Sequence, residues 1–271
     1  MFLEPVYKKE ILSLLHSDLG LNLDLLNKIY THFQSPGDMH NILEEKYKYV
    51  NIDTLNQEFK KVALGKCSYG IDLPVWFSDR NENKKKIFLL ATDPMRGIND
   101  KEVADLNSPF SIHASSNNNY YSAIKKLSNK YDIYITDIYK LFYREKTNKR
   151  QVSSLSSKFT SLDIHARLIN REIAIFKPDL ILCLGKHPLH GLYNLGKWEL
   201  PPKSTIGKLV QYNYITNNRE IPTFAIPHAS SIAAKWAQTF LKNNNWQKPY
   251  NGKTYIVDAV EIIFSTLKQV F

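Results

Sequence analysis

Cysteine is scarce in this chain: Cys67 and Cys183 are the only two among 271 residues, far apart in sequence, and Cys183 lies inside an apolar run. That excludes a disulfide framework and fits a reduced compartment. No apolar stretch is long enough to span a bilayer, and Met1 to Glu10 lacks the basic, apolar and small-residue order of a secretory signal. A soluble cytoplasmic protein is the expectation. Internal repeats, a low-complexity tail and a glycine-rich phosphate loop are also missing, and the last counts against an α/β enzyme acting on a nucleotide or small phosphorylated ligand. Acidic residues are outnumbered, 26 Asp and Glu against 36 Lys and Arg, which leaves a formal charge of +10. Such a surface attracts polyanions and speeds their encounter, although a Lys- and Asn-rich composition also serves solubility alone.

What is present is enough length for one large α/β domain with its own core, and rather little for two independent ones. Residues 1–70 read as an N-terminal helical extension and 71–271 as the α/β domain. Val6 to Phe33 repeats apolar residues at helical spacing, broken at Gly20. Ser35-Pro36-Gly37-Asp38 is a turn, and a further helix is expected before Lys61. Tyr69 to Phe77 approaches the sheet as an extended strand or a loop. Four apolar runs of strand length come next: Lys86 to Ala91, Asp132 to Asp137, Asp179 to Gly185 and Ile221 to Pro227. Helical segments come after each, at 118–127, 155–176, 187–194 and 230–242, with 255–271 closing the chain. This alternation predicts a three-layer α/β/α fold around a mainly parallel four-stranded central sheet.

Two strand ends carry polar turns. The first run leads into Ala91-Thr92-Asp93-Pro94-Met95-Arg96 and the fourth into Pro227-His228-Ala229-Ser230-Ser231. Ligands of open α/β sheets bind outside the carboxyl ends of the strands, so Asp93 and His228 are expected to face one crevice. Alone, each has a plainer explanation, Asp93 as a capping residue before Pro94 and His228 as a turn histidine. Their joint position favours chemistry. After the second run, Lys140 to Gln151 sets Lys140, Arg144, Lys146, Lys149 and Arg150 around Phe142 and Tyr143. That pattern either grips a phosphate backbone beside an unstacked base or forms a solvated charge run.

Taken in order, these segments resemble the uracil-DNA glycosylase superfamily. Ala91 to Arg96 resembles its water-activating motif, and Ser108-Pro109-Phe110-Ser111-Ile112 the segment whose Phe stacks on the extruded base. Tyr134 to Lys140 resembles the base-reading strand, Lys177 to Lys186 the third strand with its glycine turn, and His228 to Ser231 the histidine motif. The resemblance runs from Ile87 to Gln238. It implies a monofunctional DNA N-glycosylase, monomeric and without metal or cofactor, that flips a nucleotide from the stack before cutting its glycosidic bond. Asp93 then orients water and steadies the oxocarbenium-like sugar, while His228 donates a hydrogen bond to the base O2. Phe110 stacks on the base, with Thr92, Met95 and Asp137 beside it. Ser230, Lys235, Arg96 and Arg144 are assigned to DNA phosphates and Ile232 to the wedge that fills the vacated space. Ser230 as a helix cap, Ile232 as core and the cations as ordinary surface are the plain alternatives.

Two departures bear on the base. Asp137 stands where the family normally carries Asn. Asn offers a donor and an acceptor to match uracil, whereas an ionised Asp offers acceptors only, which suit the amino group of cytosine. A protonated Asp137 reads either base, and an Asp137 that merely caps its loop reads neither. Met95 replaces a Tyr that blocks substituents at C5, and its flexible chain leaves room for a methyl, hydroxymethyl or larger group. Uracil and a cytosine-like or 5-modified pyrimidine both stay open, as do base-excision repair and defence against phage with modified DNA. The departures at Ala91, Thr92, Met95 and Ala229 also permit a non-catalytic nucleic-acid-binding member; Asp93 and His228 argue against such decay. Two cysteines cannot hold the four-cysteine iron–sulfur cluster of some branches. Cys183, His187 and His190 have a spacing seen in zinc sites but lack a fourth ligand.

Overall fold

Past its first residue, Lys86-Ile87-Phe88-Leu89-Leu90-Ala91 has no polar face, and such a run is stable as a strand only where both its sides are covered. In the computed structural model this segment is a strand at the centre of a sheet, buried at every residue after Lys86. The structure describes residues 5–32, 49–63, 68–77, 84–92, 103–112, 119–144, 162–195, 208–216, 219–230 and 233–270. Along them run α1 (Pro5–Leu19), α2 (Leu23–His32), β1 (Tyr49–Asn51), α3 (Gln57–Ala63), β2 (Ser68–Asp72), β3 (Val75–Phe77), β4 (Lys86–Ala91) and β5 (Val103–Asn107). After a 3-10 turn (Pro109–Ser111) come α4 (Asn119–Ser128), β6 (Asp132–Asp137), β7 (Phe142–Arg144), α5 (Leu162–Phe176), β8 (Leu180–Leu184) and α6 (Lys186–Leu195). β9 (Tyr212–Ile215), β10 (Glu220–Ile226), α7 (Ala234–Asn243) and α8 (Tyr255–Val270) complete the order.

The central sheet has the strand order β3-β6-β4-β8-β10-β9. The four expected strands β6, β4, β8 and β10 run parallel, with Ala91 opposite Asp137 and Ile226 opposite Leu184, so their carboxyl ends are level. The sheet is nevertheless six strands wide rather than four, because β3 pairs antiparallel with β6 and β9 antiparallel with β10. Three or four residues are too few for a period-two pattern to show, so only the pairing distinguishes these edges from loop. Helices α1, α5 and α6 pack on one face and α4 and α8 on the other, giving the three-layer α/β/α fold. An aromatic column, Tyr30, Trp76, Tyr134 and Phe88, with successive ring centroids 5.1, 6.1 and 5.1 Å apart, ties α2 to three strands of the sheet. The same core is continuous with Ile11, Leu14 and Leu15 of α1. Cys183 is buried in β8, which removes its thiol from any ligand role at the surface.

A second sheet has the order β1-β5-β2-β7. Its strands β5 and β7 come after β4 and β6 in the chain, so they leave the carboxyl ends of the parallel core, and β1 and β2 join them from the N-terminal part of the chain. Residues that read as the start of a phosphate-gripping loop are instead buried here. Lys140 and Phe142 are 1% and 0% exposed. Lys140 Nζ lies 2.7 Å from Glu172 Oε2 on α5 and donates to Thr136 Oγ1, and the Lys140 backbone N–H donates to His165 Nδ1 at 3.0 Å. An ammonium can be held in the core only with such partners. The rest of that loop, including Lys146, Lys149 and Arg150, lies outside the described residues, as do the start of the helix expected from Leu155 and the turn at Ser35.

Candidate functional site at the carboxyl ends of the strands

The parallel strands end side by side, and the segment leaving each is stitched to its neighbour. Ile138 N–H donates to Ala91 O at 3.0 Å and Tyr139 N–H to Thr92 O at 3.1 Å, so the chain leaving β6 is bound to the chain leaving β4. Gly185, with φ of +106°, turns the chain out of β8 while its N–H donates to Ile226 O at 2.8 Å. That left-handed turn is costly for any residue with a Cβ. Gly191 on α6 lets the helix approach the same region: a Cβ there would lie 2.8 Å from Ile138 Cγ1. Asp137, 2% exposed, ends β6 opposite Ala91 of β4. Strand alternation turns it to the face opposite Thr136 and the buried Lys140.

Phe110 reaches this rim from the second sheet. Its backbone is left-handed, φ 58° and ψ 17°, and Ser111 has φ 49°. For a bulky side chain this conformation costs on the order of 1–3 kcal/mol and persists only when its surroundings over-determine it. Asn107 supplies part of that support: its Oδ1 accepts from Ser108 N–H at 2.8 Å and its Nδ2 donates to Ser111 Oγ at 3.1 Å. The 3-10 turn carrying Phe110 packs against β6.

His228 stands two residues beyond β10, half-buried, with its ring edge-on to Phe110 at 5.4 Å between centroids. Burial lowers the pKa of His228, so the imidazole is neutral at neutral pH. Tyr120, in the first turn of α4, completes the cluster. Its ring stacks on Phe110 at 3.9 Å and 4°, and its hydroxyl lies 2.5 Å from His228 Nδ1. Sequence reasoning missed Tyr120, because one aromatic at the start of an amphipathic helix is indistinguishable from a core residue.

Thr92 is half-buried at the exit of β4. Ser230 accepts the Ala233 N–H on its Oγ at 3.3 Å, capping the turn into α7, and Lys235 is exposed on the first turn of that helix. Arg144 ends β7 with its backbone opposite Ser68; its side chain is outside the described set. Asp93, Met95, Arg96 and Ile232 lie outside the described residues. The structure thus brings Phe110, Asp137, Thr92 and His228 to one end of the sheet. No group of three or more His, Cys, Asp or Glu is arranged to hold a metal ion among the described residues. No described helix is long and apolar enough to cross a membrane.

Order of strands, level strand ends and an aromatic–histidine cluster at those ends meet a match at the level of sequence families: the model of the uracil DNA glycosylase superfamily covers residues 77–253. The chain belongs to the uracil DNA glycosylase superfamily. A search of curated proteins found no match. The superfamily consists in general of hydrolytic DNA glycosylases, so DNA glycosylase activity and DNA as the substrate are the coarse assignment. The matched span takes in both strand-end motifs, the Phe110 turn and Tyr120.

Proposed function

We propose that this protein is a monofunctional DNA N-glycosylase that extrudes a pyrimidine nucleotide and hydrolyses its glycosidic bond with a water oriented by Asp93. The observation that carries the reading is the neutral, half-buried His228 held edge-on to a strained Phe110 at the strand ends. Glycosidic cleavage sends the bond's electron pair onto the base while C1′ becomes cationic, and water then bonds to C1′ and loses a proton. A neutral donor beside the base stabilises the growing charge without drawing in a counter-ion, and a carboxylate on the sugar side stabilises the cation. In this scheme His228 faces the base O2, Asp93 faces C1′, and Phe110 stacks on the flipped ring.

Asp137 then reads the base edge, with Thr92 and Met95 lining its periphery. Acceptors on Asp137 and space beside Met95 favour a cytosine-like or 5-modified pyrimidine over plain uracil. Ser230, Lys235, Arg96 and Arg144 hold phosphates, and Ile232 occupies the gap left by the base. Removal of a modified cytosine suits defence against phage, and removal of uracil suits repair.

Mass spectrometry of bases released from DNA containing uracil, cytosine, 5-hydroxymethylcytosine or its glucosylated form tests the reading, with Asp93→Asn as control. Release of a modified cytosine that Asp93→Asn abolishes is the expected result. Release of uracil alone reduces Asp137 to a tolerated variation, and release of nothing makes the protein a DNA-binding member without catalysis.

A further inference from the structure

Among the described residues the large hydrophobic side chains left exposed are Leu23, Ile215 and Trp236, and the indole of Trp236 is the most open of the three at 65%. It lies in the first turn of α7, four residues before Phe240, a spacing that puts two side chains on neighbouring parts of a helix surface. Phe240 is buried, edge-on to Tyr255 of α8, and Ala237 and Leu241 are buried beside it. The helix is thus anchored through its inner side while the largest side chain of its first turn stays in solvent. A single exposed aliphatic residue needs no explanation, but an exposed tryptophan is an unusual surface.

Its surroundings are cationic and free of acid. From Ile221 to Val257 the sequence holds Lys235, Lys242, Lys248 and Lys253 and neither Asp nor Glu. The exposed side chains of α7 are Lys235, Trp236, Gln238, Thr239, Lys242 and Asn243, all neutral or positive. The position is set by the turn after His228. Ala233 N–H donates to the backbone oxygen of Ser230 at 3.1 Å and to its Oγ at 3.3 Å, so α7 starts directly beyond the histidine motif and its first turn adjoins the strand ends.

We infer that Trp236 is a stacking platform for an unpaired base beside the extruded nucleotide, and that the DNA this protein engages is single-stranded. The inference rests on the glycosylase reading for DNA as the ligand, and on the exposed indole with its lysines for the form of that DNA. Lysines that follow a phosphate backbone, together with an aromatic face on which a base lies, are the means by which single strands are held without regard to sequence. In a duplex both faces of every base are covered by the neighbouring pairs. Opening a step for the indole then costs unstacking in addition to the extrusion of the nucleotide. A single strand carries no such cost, so the same side chain contributes more affinity there. Because α7 is fixed through Ala237, Phe240 and Leu241, the platform is in place before the strand arrives and little ordering is left for the binding step.

The test is a fluorescence titration of the full chain with a short oligothymidylate and, in parallel, with a duplex of the same length. Trp76 is buried and gives a constant background, and Trp246→Phe controls for a signal from Trp246, whose ring has Lys248 Nζ 5.2 Å from its centroid. Oligothymidylate is expected to quench wild-type fluorescence. Trp236→Ala should lose most of that quench and bind the single strand about 10- to 100-fold more weakly, with Trp236→Phe recovering much of the affinity and duplex binding changed far less. The slope of log affinity against log salt should stay the same, since the lysine contacts to phosphate remain. An unchanged thermal unfolding midpoint shows that the variants are folded. Absence of wild-type binding to oligothymidylate overturns the inference, as does an affinity that Trp236→Ala leaves unaltered or an equal loss on single strand and duplex. Base release from the same two forms of DNA, carrying uracil or a modified cytosine, keeps the two readings apart. Trp236-dependent binding of the single strand without release of any base retains the platform and removes the glycosylase reading, whereas release from single strands that is indifferent to Trp236→Ala does the reverse.

Discussion

His165 and His228 are both kept neutral by burial, yet they sit in regions built for opposite ends. His165 is enclosed by Phe59 and Tyr139, accepts the Lys140 N–H and adjoins the Lys140–Glu172 ion pair; burial, reinforced by Lys140, lowers its pKa to about 3. His228 has aromatic neighbours too, but it is only half-buried, at the level where four parallel strands end. In the first region Lys140 is paired with Glu172 and Thr136, and its backbone N–H with His165 Nδ1. In the second, a strained Phe110 and a neutral His228 meet at the rim where the parallel strands end. Burial alone therefore does not tell the two histidines apart; their place does, one inside the core and the other at the ends of the parallel strands.

The comparison breaks most sharply on the buried side. Lys140→Met leaves Glu172 in the core without its cation and is expected to lower unfolding free energy by about 3–5 kcal/mol, read by urea denaturation. The double variant Lys140→Met/Glu172→Gln should recover a good part of that loss, since burial already pushes the Glu172 carboxyl toward its neutral form. Full stability of the single variant would mean that this cluster is no keystone.

At the rim the ordering reverses. His228→Gln should reduce base release by about 10²–10³-fold, as for loss of one transition-state donor, while changing stability by less than ~1 kcal/mol. A large stability loss with unchanged kcat would place His228 in the same class as His165.

Acid should separate the two histidines further. The unfolded chain protonates His165 near pH 6.5, whereas the folded chain resists until about pH 3. Between those values the unfolded state binds more protons, so stability falls as pH falls, by at most about 1.4 kcal/mol per unit from this one group. His165→Asn, whose Oδ1 can still accept the Lys140 N–H, is expected to flatten that slope in denaturation series from pH 7 to pH 4. An unaltered slope would assign the acid sensitivity elsewhere.

Smaller effects sharpen how the rim is held. Gly191→Ala pushes a methyl into Ile138 and should cost about 1–3 kcal/mol while altering base preference through Asp137; unchanged preference in competition assays would uncouple α6 from the base edge. Asn107→Ala frees Phe110 from its left-handed turn and should cost about 1 kcal/mol, with KM rising more than kcat falls.

The parallel core was legible because its strands are apolar on both faces, a pattern that a run such as Ile87 to Ala91 writes without reference to anything distant. Asp132 to Asp137 was read to the residue for the same reason. The Phe110 turn and the His228 motif were legible as resemblances, but not the strain at Phe110, which depends on Asn107. Tyr69 to Phe77 was legible only as an extended strand or loop, and it forms β2 and β3; β1, β5, β7 and β9 were not legible, since short segments without an apolar run acquire strand character only from a partner. Lys140 read as surface because charge in a sequence is assumed to be solvated; Glu172, thirty-two residues later, reverses that.

The sequence by itself determined the layer architecture, the superfamily and the two strand-end motifs, because hydrophobic period and local motif are properties of contiguous residues. Only the tertiary structure decided which histidine is enclosed, where Lys140 finds its counter-charge, and that Tyr120 bridges Phe110 and His228. Each of those outcomes depends on side chains brought within a few ångströms from distant parts of the chain, and desolvation and hydrogen bonding act over that distance alone.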